Sequence, residues 1–189
     1  MKHRTKQQRG FTLVEVLVAL FIFSMIGGVG TGLLFSSMSA QRNSLAKQEL
    51  VDQVSYTAEY MSRALRQAVK ELQDPPACLT RAGRGYNYEV ALTGNSVKFI
   101  NSQGECKEFF LENGQVKERV NGGTAVNITS NTLQVRALRF STQGESQTDT
   151  IQPRLTFIVD AVTLGQKPEE RRSIELQTTV SQRSYDVLQ

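Results

Sequence analysis

Glu15 is the single charged residue between Phe11 and Phe35, a run that reads FTLVEVLVALFIFSMIGGVGTGLLF. A carboxylate at hydrocarbon depth is costly unless it is paired. No Lys, Arg or His within the run can pair with it. It must therefore snorkel to the headgroups or find a cation from outside the run. The second pair of residues that could do chemistry is Cys78 and Cys106, both in the polar half of the chain. Outside the cytoplasm they are expected to form a disulfide, stabilising the fold by roughly 3.5 kcal/mol in the chain-entropy account. In a reducing compartment they would be two buried thiols. Glu145, Asp149 and Asp160 offer oxygens of the kind calcium accepts, but their spacing matches no EF-hand loop. No metal site is expected from them. The sole histidine is His3. Without another, the chain cannot build a Ser-His-Asp or Cys-His site or a histidine metal centre. Neither an enzyme, a cofactor nor a small-molecule substrate is expected.

The elements that must position these residues begin with the apolar run itself. A helix over Phe11–Phe35 would be about 37 Å long, enough to cross a bilayer. Lys2, Arg4, Lys6 and Arg9 precede it with no acid among them. Positive charge stays cytoplasmic, so the rest of the chain is expected beyond the inner membrane. The leader also explains the net charge of +4 and the pI of 9.2: with its four cations set aside, the remaining basic residues equal the 18 acids. That balance argues against a nucleic-acid-binding domain. It leaves open a local patch, for which Arg81, Arg84, Arg136, Arg139, Arg171 and Arg172 are the candidates.

Three processing routes fit a basic start followed by an apolar run. A secretory signal peptide would be cut after a small-residue site such as Ser37-Met38-Ser39, before Ala40, but its apolar core should be shorter than this one. A plain uncleaved anchor fits the length and gives no reason for Glu15. The third route is cleavage ahead of the apolar run, which is then retained. Here Arg9-Gly10-Phe11-Thr12-Leu13-Val14-Glu15 resembles the prepilin peptidase site of type IV pilins and type II secretion pseudopilins. The resemblance implies a cut between Gly10 and Phe11 and methylation of the new Phe11 amine. It also implies that Glu15 takes the amine of the next subunit and so selects the register of filament entry. Phe11 and Glu15 stand at i and i+4 on one helix face, so pairing within one chain is open as well. Gly27, Gly28, Gly30 and Gly32 follow; Gly28-x-x-x-Gly32 would let two helices approach closely, or simply reflects how common glycine is in membrane helices. Many pilins carry a proline near the position of Gly32, and this chain does not.

Beyond Phe35 the helix is expected to continue to about Gln73, making it roughly 95 Å long. Val51, Val54, Ala58, Met61, Leu65, Ala68 and Leu72 form one apolar stripe, and Asp74-Pro75-Pro76 ends it. The stripe should cover the core face of a following sheet. Strands are expected at Tyr86–Leu92, Ser96–Asn101, Glu108–Glu112, Gln115–Val120, Leu133–Phe140, Leu155–Leu164 and Ser173–Ser181. Thr93-Gly94-Asn95 and Asn113-Gly114 supply hairpin turns, and 141–153 and 165–170 read as loops.

The expected fold class is α+β, a long N-terminal helix with a membrane half and an amphipathic half, packed on a C-terminal antiparallel β-sheet domain. The expected segments are a leader at 1–10, a membrane and assembly helix at 11–35, its amphipathic continuation at 36–73 and an extracytoplasmic β-rich domain at 74–189. By the resemblance the chain is a minor pilin or pseudopilin of a pilus-like or secretion filament. Its partners are then other pilin or pseudopilin subunits, prepilin peptidase and the inner membrane. The rival is a membrane-anchored extracytoplasmic β domain that binds a ligand and never polymerises; it requires neither Gly10-Phe11 nor Glu15.

Overall fold

The computed structural model describes residues 10–145, 151–164 and 171–183. The basic leader up to Arg9, Asp149 and the expected loop 165–170 lie outside the described residues. The chain divides into two compact units, Met1–Ser44 and Leu45–Gln189, and the helix α1, Leu13–Arg66, contributes to both.

In the first unit, Leu, Val, Phe and Ile dominate α1 and offer no side-chain group that competes with the helical ladder. Every side chain from Leu13 to Arg42 is exposed. The hydroxyls in this apolar stretch satisfy themselves. Ser24 donates to the carbonyl of Leu20 at 2.8 Å, and Thr31 to those of Gly27 and Gly28 at 3.1 and 2.9 Å. Among the described residues α1 is the helix long and apolar enough to cross a membrane.

In the second unit α1 buries Leu50, Val54, Ala58, Met61 and Leu65, spaced so that they share one face. Leu50 leads this face in place of Val51, which is 36% exposed. The helix stops at Arg66, short of the expected Gln73. Beyond it the N–H of Val69 donates to the carbonyl of Ile100 and that of Glu71 to the carbonyl of Tyr86, each at 2.9 Å. Pairing with the sheet takes the backbone that would have carried the helix on. Leu72 is consequently off the helix and exposed.

Two antiparallel sheets follow. The first is a meander in the order β1 (Tyr88–Val90), β2 (Ser96–Ile100), β3 (Cys106–Glu112), β4 (Gln115–Val120) and β5 (Val126–Asn127). The second holds β6 (Leu133–Gln143), β7 (Arg154–Thr163) and β8 (Ser173–Ser181) in that order. Strand β1 is shorter than expected, because the Tyr86 carbonyl is spent on Glu71 and Ala91 already enters the turn to Ser96. Strand β6 runs on to Gln143, into the expected loop, because Ser141, Thr142 and Gln143 pair with Thr156, Leu155 and Arg154. Strand β5 was not expected at all. Period-2 burial puts Leu133, Val135, Leu138 and Phe140 of β6 and Leu155, Phe157, Val159 and Ala161 of β7 on the inner face. They join Val97, Phe99, Phe109 and Val116 of the first sheet and the helix stripe in one core.

The two sheets are tied at hairpin tips. Asn113 and Gly114 have φ of 53° and 74°, the conformation a two-residue hairpin turn demands. The Gly114 carbonyl accepts from Val135 N–H at 2.8 Å, and the Gly94 carbonyl accepts from Phe140 N–H at 2.7 Å. A Cβ on Gly114 would stand 3.0 Å from Cγ of Gln134, so this position needs glycine for both φ and proximity.

Candidate functional site

At the N-terminal end Gly10, Phe11 and Thr12 precede the helix, and α1 begins at Leu13. The Gly10–Phe11 peptide bond is thus outside the helical ladder. Phe11 is 82% exposed, and nothing lies within 4 Å of where a Gly10 Cβ would be. A bond so placed can enter an enzyme cleft without unwinding a helix. Thr12 is the N-cap: its carbonyl accepts the first helical bond from Val16 N–H at 3.2 Å, and its Oγ1 accepts from Glu15 N–H at 3.3 Å. The Glu15 carboxylate reaches back to Thr12 N–H at 3.4 Å. This is a capping box, with Thr12 at N-cap and Glu15 at N3. Its sequence signal is Thr-x-x-Glu, which the membrane cost of the same carboxylate masks. Both hydrogen bonds are long, so the box holds Glu15 loosely, and Glu15 keeps its capacity for a stronger cationic partner.

The second site surrounds the cysteines. Cys78 and Cys106 are joined by a disulfide that spans a sequence separation of 28. It ties the loop after α1 to the start of β3. Glu71, 1% exposed, grips that same loop: its carboxylate accepts from the N–H groups of Gln73 and Cys78, each at 3.0 Å, and of Leu79 at 3.5 Å. Burial pushes its pKa up, but the backbone donors of Cys78, Gln73, Leu79 and Ala77 outweigh burial and hold it below the ordinary value. Glu89 does the same one turn on, accepting from Arg81 N–H at 2.6 Å and Ala82 N–H at 2.9 Å. Sequence reasoning gave neither glutamate a role; two acids in a polar stretch carry no local mark of burial. Replacing both cysteines by serine is expected to lower unfolding free energy by roughly 3.5 kcal/mol. Urea denaturation of the oxidised chain and the double variant, side by side, measures it.

The candidate arginines lie on three separate stretches of the chain. Arg136 pairs with Asp160 at 2.7 Å, and the Arg81 guanidinium donates to the Val90 carbonyl. Arg139 is on β6, Arg171 and Arg172 lead into β8, and Arg84 is in the loop before β1. Asp160, considered for calcium, is spent on Arg136. Among the described residues no three His, Cys, Asp or Glu side chains come together as a metal site.

Comparison with known proteins gives two likenesses. The prokaryotic N-terminal methylation motif matches residues 5–31. A pilin-like protein of Thermus thermophilus, PilA3, is 39% identical over 61 residues, which is 32% of this chain and 26% of that protein. The chain therefore spans about a quarter of the relative's length. No solved structure matches. With its apolar helix followed by antiparallel sheets, the chain is α+β, and what it is similar to is type IV pilin-like.

Proposed function

We propose that this pilin-like chain is a structural subunit of a filament, a minor pilin or pseudopilin, made as a membrane-held precursor. The observation that carries the reading is the motif of residues 5–31 set directly on an apolar helix, with Gly10–Phe11 exposed ahead of it. In this reading prepilin peptidase cuts after Gly10, and the Phe11 amine is methylated. The helix stays in the inner membrane, with the Leu45–Gln189 unit outside the cytoplasm. Subunits then associate through their apolar helices, where van der Waals packing and interhelical bonds supply the attraction. Glu15 pairs with a cationic amine, which fixes register. The chain does no catalysis in this scheme.

Mass spectrometry of the protein taken from its native membrane tests it. The expected species begins at Phe11 and is heavier by one methyl group. A chain still beginning at Met1 would make it a plain anchored domain. A start at Ala40 would make it an exported one. Either result would overturn the filament reading.

A further inference from the structure

Natural sheets protect their free edges, and three of the four edges here are protected. The first sheet ends in β1 and β5, of three and two residues. The outer edge of β6 carries two arginines and an irregularity between Val135 and Ala137, and it is tied at Val135 and Phe140 to the hairpin carbonyls of Gly114 and Gly94. Strand β8 differs. It has nine residues, SIELQTTVS, with no proline, no lysine and an unbroken register against β7.

Its backbone direction can be assigned. Thr163 lies opposite Arg172 in the register of β7 and β8, and Thr163 N–H donates to the Arg172 carbonyl at 2.9 Å. Arg172 is therefore in a hydrogen-bonded pair, and so are Ile174, Leu176, Thr178 and Val180. The N–H and C=O groups of Ser173, Glu175, Gln177, Thr179 and Ser181 point away from β7. Arg183 obeys the same alternation: its N–H leaves the sheet and donates to the Arg66 carbonyl at the end of α1, at 2.9 Å. Among the described residues nothing else pairs with this edge. Beside it a groove of about 370 Å³ lies between Leu176 and Thr178 of β8 and the α1 side chains of Ser55, Ala58, Glu59 and Arg63. A strand added to β8 would set alternate side chains over that groove.

We propose that the outer edge of β8 takes up, by β-strand addition, an extended segment of a different protein subunit with acidic residues at its ends. The charges choose this occupant. Arg171 stands before the edge and Arg66 and Arg183 close its far end, all three exposed and without an ion-pair partner among the described residues. They would meet carboxylates at both ends of an incoming strand. In the two-fold registers centred on Glu175, Gln177 or Thr179, whose backbone groups face outward, the same residues disfavour a second copy of this chain. Pairing about Gln177 sets Arg171 opposite Arg183 of the copy. Pairing about Glu175 sets that carboxylate against itself. Pairing about Thr179 needs the Arg183 N–H, which Arg66 already holds. Like charges directly opposite destabilise a strand pair. The inference does not rest on the filament reading, since a plain anchored domain would present the same edge.

The test uses the full chain in detergent micelles and a synthetic peptide of β8's length, alternating threonine and valine with aspartates at both ends. A lysine-ended version is the control. Amide hydrogen exchange at Glu175, Gln177 and Thr179 should slow about tenfold or more on saturation, while Ile174, Leu176 and Thr178, already paired, should not change. The lysine-ended peptide should bind about tenfold or more weakly. Protection absent, protection confined to other amides, or equal binding of the two peptides would each overturn the proposal. Gln177→Pro removes an outward N–H without touching the β7 ladder, so the variant should melt as the parent does and lose the peptide; retained binding would overturn the proposal. Should that variant not fold, Arg171→Glu with Arg183→Glu serves in its place. It is expected to prefer the lysine-ended peptide, and an unchanged preference would overturn the proposal.

Discussion

Glu71→Ala is expected to destabilise the chain by about 4–6 kcal/mol, more than loss of the disulfide beside it. The carboxylate is buried and accepts three backbone N–H groups from the loop 73–79, two of them on the buried residues Cys78 and Leu79. Removing the acceptor leaves those donors with no partner, at about 1–3 kcal/mol each. Glu71→Gln keeps one oxygen and should lose about half as much. The effect also has a pH signature. The folded-state pKa of Glu71 lies below its ordinary value, because the backbone donors outweigh burial. The unfolded chain then binds the proton more tightly than the folded one. The stabilisation is fully present above the ordinary carboxylate pKa of about 4.3 and is lost as pH falls through the lower folded value. Urea unfolding followed by tyrosine fluorescence measures this, since the chain has five tyrosines and no tryptophan. Between pH 6 and pH 3, values chosen to bracket about 4.3, the parent should lose more stability than Glu71→Gln. Parallel losses would show that Glu71 does not carry the pH response.

What sequence could read, and what it could not, divides by the range of the interaction. The Asn113-Gly114 turn was legible because a two-residue hairpin needs positive φ at both positions, and few residues accept it. The alternation in β6 and β7 was legible because one face is buried. The stripe Val54, Ala58, Met61, Leu65 was legible for the same reason at helical period. The end of α1 was not: Val69 leaves the helix because Ile100 is there to receive its N–H, and Ile100 is remote in sequence. Strand β5 has two residues, both exposed, and exists by pairing with Lys117 and Glu118. Tyr60 shows the same limit. Its hydroxyl donates to Glu118 at 2.6 Å, and burial together with that carboxylate pushes its pKa up to about 12. Nothing near Tyr60 in sequence announces the partner. At the N-terminal end the reverse holds, for residues 10–15 interact with one another and their meaning is local.

That local site makes a second large effect testable. Glu15 has one carboxylate for the helix cap with Thr12 and for the proposed pairing with an amine, and two substitutions separate them. Glu15→Gln retains an acceptor at N3 and removes the charge. Thr12→Ala removes the N-cap oxygen and keeps the charge, at about 1 kcal/mol of helix stability. If charge pairing sets the register of assembly, Glu15→Gln should be cut after Gly10 as the parent is and yet fall about tenfold or more in the filament fraction. Thr12→Ala should be cut and should assemble within about twofold of the parent, because about 1 kcal/mol at a fraying helix end is small against the packing of a whole apolar helix. Quantitative mass spectrometry of sheared filaments against membranes reads both. Equal losses in the two variants would mean that the cap matters as much as the charge. Normal assembly of Glu15→Gln would remove the charge from the mechanism. The physical reason for the expected asymmetry lies in the solvent. A weak cap at 3.3–3.4 Å is worth little anywhere, whereas a carboxylate and an ammonium group brought together in hydrocarbon relieve a cost that water would otherwise have hidden.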